Sequence, residues 1–139
     1  MKLTKKVLAL ILSVAMILAM SVTVFATDIT ITGGDTGSEY AAYKLLDLTT
    51  SKNGTKTNYS YTLNDKFRTI LYTVTSKDSD EDVVDYISKL NEADTRNFAD
   101  SVYSQINSSN PKILADYTTN NDKFENVAQG YYLITETKI

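Results

Sequence analysis

The chain has 139 residues, 14 basic and 17 acidic, for a net charge of −3, and it contains neither histidine nor cysteine. Those two absences exclude Ser-His-Asp and Cys-His catalysis, the usual zinc ligand sets and any disulfide within these residues. The acidic balance disfavours a nucleic-acid partner.

Lys2, Lys5 and Lys6 precede an uncharged, largely apolar run from Val7 to about Val22, and Val24-Phe25-Ala26 offers small residues at cleavage spacing. This is the pattern of a secretory signal peptide over residues 1–26, with a retained membrane span as its competitor; the Val24-x-Ala26 site favours cleavage. Cleavage after Ala26 leaves one ordinary domain, residues 27–139, and because the leader holds three lysines and no acid the net charge falls from −3 to −6.

Asp28 to Thr32 alternates polar and β-branched residues, and Gly33 to Gly37 then breaks the pattern before a second strand from Glu39 to Leu48. Asn53-Gly54 is a tight-turn pair that hands over to a third strand, Tyr59 to Leu63. The period then lengthens. Phe67, Ile70, Leu71 and Val74 share one side of a helix capped by Asn64. Ser79, three residues before Asp82, opens a second helix with Val83, Val84, Ile87 and Leu90 as its stripe. A third is expected from Thr95 to Ile106, capped near Asp94, with Phe98, Val102 and Ile106 in line. Strand patterns return at Ile113 to Tyr117, Phe124 to Val127 and, most strongly, Tyr131 to Glu136, with Gly130 marking the turn before the last. Strands flanking a helical block predict a mainly β domain, a sandwich or partial barrel with two or three short helices between strands three and four.

Several patterns have ordinary explanations. Asp78 to Asp82 resembles the start of a calcium loop, but Val83 stands where glycine is needed and Lys89 where the closing glutamate belongs, so these acids read as a helix N-terminus. Asn53, Asn58 and Asn107 begin Asn-x-Ser/Thr sequons that matter only in a eukaryotic secretory route. The ten tyrosines fit strand packing better than a sugar-binding surface.

Lys44 is harder to dismiss. Alternate counting places it with Tyr40, Ala42, Leu46 and Leu48 on an apolar strand face, where an unpaired ammonium costs several kcal/mol or more. It must be paired, neutral, covalently consumed, or reach past the strand edge. Glu136 shares a face with Ile134 and Tyr132, so the two could meet across the core. A neutral lysine, a protonated acid and an asparagine amide are the ingredients of an intramolecular isopeptide bond formed with loss of ammonia; a plain ion pair is the alternative.

Tyr40-x-x-Tyr43-Lys44-Leu45-Leu46, Tyr59 to Thr62, Phe98-Ala99-Asp100-Ser101-Val102-Tyr103 and Gly130 to Ile134 together resemble the N-terminal domain of sortase-assembled major pilins of Gram-positive bacteria. Tyr132-x-Ile134-x-Glu136-Thr137 looks like the pilin E-box, with isoleucine replacing the usual leucine. The resemblance implies an Ig-like, CnaB-like β-sandwich and a structural, non-enzymatic subunit of a cell-wall-anchored fimbria that supports adhesion. It implies neighbouring subunits joined by sortase as partners, no cofactor or metal, and a membrane contact only through the leader or a C-terminal tail. It assigns Lys44 as the isopeptide lysine and Glu136 as its acid. The partner asparagine of such domains follows the E-box and is not in the chain; Asn126 precedes it. The pilin-motif lysine, sorting signal and membrane tail are likewise expected downstream, in a longer protein. The competing function is an adhesin module that binds host proteins or glycans, and a distant third is an enzyme using Asp47 and Glu136 as acid and base.

Overall fold

The computed structural model describes residues 7–8, 26–32 and 37–138. Among them the fold is mixed, mostly strands, with antiparallel sheets and three helices. Four strands come first: β1 (Val7–Leu8), β2 (Ala26–Thr30), β3 (Glu39–Asn53) and β4 (Lys56–Leu63). Three helices follow, α1 (Arg68–Thr75), α2 (Asp80–Ser88) and α3 (Glu92–Asn107), then β5 (Tyr117–Thr119), β6 (Lys123–Ala128) and β7 (Gly130–Lys138).

β3, 15 residues long, is the centre of the larger sheet. β7 pairs with it from Glu39 to Asp47, while β5 takes Tyr40–Ala42 and β4 takes Leu46–Asn53. Both faces of this sheet are covered. Ala41, Tyr43, Leu45, Tyr131 and Leu133 pack against Phe67, Leu71, Val83 and Val102 on the helical side. Tyr40, Ala42, Tyr132 and Ile134 pack against Ile29, Ile31, Phe124 and Val127, carried by or adjoining the separate β2–β6 pair. Each fully buried chain of this size contributes about 1.5–3 kcal/mol over leaving it in water.

The expectation of strict alternation along β3 fails at one place. The register shifts between Lys44 and Leu46, and Leu46 joins Tyr43 and Leu45 in the helix-side core instead of following Lys44. Such a bulge re-aims the side chains beyond it and bends the strand. Gly130 fits against this bend. It is the first residue of β7, within the strand where a turn residue was expected, and a Cβ there would stand 2.5 Å from the Leu46 carbonyl oxygen and 2.9 Å from Lys44 Cδ.

Local signals explain most element ends. Asn64 Oδ1 accepts from the Lys66 N–H at 3.1 Å, and Ser79 Oγ accepts from the Asp82 N–H at 3.2 Å. The third helix starts at Glu92 instead of Thr95, and its cap is Asn91, whose Oδ1 takes the Asp94 N–H at 2.8 Å. Glu92 and Asp94 then lie in the first turn, where the helix dipole favours acids. In the first hairpin Asn53 pairs with Lys56, so the loop is Gly54-Thr55, with Gly54 at φ 70°, and not Asn53-Gly54. Ile113 to Asp116 forms no strand, because β5 begins only at Tyr117.

Gly130→Ala should lower stability by about 1–3 kcal/mol, since backbone of β3 cannot withdraw without disturbing its core side chains. Chemical denaturation checks this. A loss below about 0.5 kcal/mol, the range of an ordinary surface change, would show that the bend does not need the glycine.

Candidate functional site

Where β3 passes from β5 to β4, residues 43–45 have no strand on that edge, and two of their backbone groups find individual partners. The Lys44 N–H donates to Asp116 Oδ2 at 2.7 Å, and the Leu45 carbonyl accepts from the Asn64 N–H at 3.0 Å. Asp116 is fixed in turn by its own N–H, which donates to the Ala42 carbonyl at 2.9 Å, and by Lys66 Nζ at 2.7 Å from Oδ1. Expecting a strand through Ile113 to Tyr117 missed this use of Asp116. Its geometry requires the chain to leave the ladder just before β5.

The Lys44 side chain crosses Gly130 and ends on Asp47, with Nζ 2.9 Å from Oδ1. Asn64 Nδ2 donates to the same oxygen at 3.3 Å. The lysine side chain is 19% exposed and the aspartate 35%, so the stem is covered while the charged ends touch water. Pairing is therefore how this lysine is tolerated. At that exposure the pair contributes at most about 1 kcal/mol.

Glu136 lies elsewhere. It is 2% exposed on β7 and accepts a hydrogen bond from Ser38 Oγ. Its register partner is Tyr40, whereas that of Lys44 is Tyr132, four residues along, or about 13 Å at the rise of a strand. Alternate counting gave a shared face but no position along it, and the antiparallel register keeps the expected lysine and acid apart. Asp47 is no closer to Glu136, for its partner is Gly130 at the opposite end of the ladder. Asn126 is exposed on β6 and donates its backbone N–H to Asp28 Oδ1 at 3.0 Å. The amide that does approach Lys44's partner is Asn64, which sequence patterning identified only as a helix cap. Extending the hairpin register back from Asn53↔Lys56 sets Asn64 opposite Leu45, and that count could have found it.

A second polar group joins α1 to the start of α2. Arg68 Nε and Nη2 each donate to Asp80 at 3.1 Å, and Tyr72 donates its hydroxyl proton to Asp80 Oδ1 at 2.5 Å. These bonds, from Arg68 first and Tyr72 second, hold the Asp80 carboxyl below its usual pKa. Its oxygens are thus spent within the protein, in agreement with the helix-terminus reading of the acidic run. Among the described residues no cluster of His, Cys, Asp or Glu is placed to hold a metal ion, and no helix is long and apolar enough to cross a membrane. Most of the apolar leader run lies outside the described residues. No family model matches the chain, and no curated protein matches it.

Asp116→Ala should cost about 1.5–3 kcal/mol, because it leaves the Lys44 N–H without its charged acceptor, whereas Lys66→Met should cost under about 1 kcal/mol. Equal losses in urea titrations of the two variants would contradict this role of Asp116. Burial raises the Tyr131 and Tyr132 hydroxyl pKa values far above 10, with Tyr61 and Tyr117 adding to the respective shifts. An unfolded tyrosine titrates near 10, so this contribution is complete below about pH 10 and is lost as pH rises beyond it. The urea midpoint should therefore fall above about pH 10, and less steeply in Tyr132→Phe; a wild-type midpoint flat to pH 11 would sink the assignment.

Proposed function

We propose that the chain is an exported structural subunit of a cell-wall-anchored fimbria, polymerised by sortase and supporting adhesion, with residues 27–139 forming an Ig-like, CnaB-like domain at one end of a longer subunit. The observation that carries this reading is the direct pairing of β3 with β7. The Tyr40-x-x-Tyr43-Lys44 strand and the E-box-like Tyr132-x-Ile134-x-Glu136 strand, far apart in sequence, lie side by side from Glu39 to Lys138 in the middle of the larger sheet. In this reading the leader is removed after Ala26 and the domain turns over no substrate. Lys44 in this reading forms an ion pair with Asp47 three residues further along β3, with Asn64 as the nearby amide.

A mechanical role also suits the connectivity. β3 is tied along its length to three other strands, so pulling its ends apart would load many ladder hydrogen bonds together.

A second reading, a binding module, draws on an open cleft of about 510 Å³ among the helices, where Tyr86, Leu90 and Phe98 adjoin Asp85, Asp94 and Asn97. Aromatic and aliphatic faces beside carboxylate and amide groups suit sugars or peptide side chains.

The test is made on the native gene in its host. Cell-wall extracts probed with antibody to residues 27–139 should give a detergent-resistant ladder of high mass that disappears when sortase is deleted. A single band of monomer size, unchanged by that deletion, would reject the shaft subunit; saturable binding on a glycan array would then favour the module.

A further inference from the structure

The two edges of the larger sheet are built differently. β4, the outer strand on one side, presents exposed residues such as Asn58, Ser60 and Thr62, an ordinary polar edge. β7, next to the other side, runs Tyr131-Tyr132-Leu133-Ile134 with all four side chains buried, so both of its faces are covered and its backbone groups need partners within the protein. β3 uses one edge of β7 from Gly130 to Lys138, which leaves a row of N–H and C=O groups on the other. That row is met by β1: Val7 pairs with Thr135 and Leu8 with Ile134, antiparallel, and α3 runs beside it.

We infer that the outer edge of β7 is a strand-acceptor site whose occupant in the precursor is the Val7–Leu8 segment, and that removal of the leader opens it. This rests on the leader cleavage contained in the proposed function. Its chemistry is backbone pairing with an extended apolar segment, so the leader caps in cis an edge that would otherwise recruit another strand. Cleavage then couples export to the exposure of a pairing edge, because β1 precedes the cleavage site while all other elements, save the first residue of β2, follow it.

Hydrogen exchange on the full chain tests this, with a protease recognition sequence inserted between Ser21 and Val22 so that the leader can be cut after folding. Of the adjacent Ile134 and Thr135 amides, one faces β3 and the other β1. On cutting and dilution the outward amide should lose protection by about tenfold or more while the inward one keeps it. A synthetic peptide of residues 3–10 should restore the protection, and a scrambled peptide should not. Val7→Pro/Leu8→Pro in the uncut chain should reproduce the cut state, because proline cannot donate to the ladder. Unchanged protection after release, or equal rescue by the scrambled peptide, would overturn the inference. Protection regained with rising protein concentration, together with a doubled mass in light scattering, would assign the edge to a second copy and overturn the leader as its occupant. These readouts concern one sheet edge and do not depend on whether the protein enters a fibre, so the fimbrial reading can fail without them.

Discussion

The carboxylate of Asp116 fills the stretch of β3 between β5 and β4, where that edge of the strand has no neighbouring strand. A strand buried on both faces cannot leave its peptide groups to water, so each N–H and C=O needs a partner within the protein. β5 and β4 supply these on either side, and Asp116 with Asn64 supplies them between. Two carboxylates, Asp116 and Asp47, then collect the charges of the region. Lys66 neutralises Asp116, and Asp47 holds both the Lys44 amine and the Asn64 amide. Among the described residues these side chains form a polar joint where β3 passes from β5 to β4.

The bulge at Lys44 and the bare backbone at Gly130 belong to the same joint. Bending β3 at this point returns Leu46 to the helix-side core and lets the lysine stem lie where a Cβ would otherwise be. A lysine with its stem buried and its head near water reaches Asp47 in that geometry.

Much of this was legible from local patterns. Asn64 and Ser79 announced their helices because a cap acts over three residues, and Tyr131 to Glu136 stood out as a strand because apolar, aromatic and β-branched residues accumulate there. Long-range position was not legible. Lys44 and Glu136 share a face by parity, yet parity is blind to register, and only the β3–β7 ladder reveals that one pairs with Tyr132 and the other with Tyr40. The bulge was hidden too, since both Leu45 and Leu46 are acceptable core residues and nothing in their identity says which face each takes. The cover on both faces of β3 follows from its apolar run, but not the division of that cover between helices on one side and the β2–β6 pair on the other.

The packing describes a scaffold in which Lys44 is held by an ion pair with Asp47, and we propose that it stays unmodified. The intact mass of the purified protein tests that claim most directly. The account predicts a mass equal to the sum of the residues present, with Lys44 and Asn64 both unmodified. A deficit of one ammonia that disappears in Lys44→Ala would contradict it, because Lys44 would then have condensed with an amide, and Asn64 is the one beside its partner.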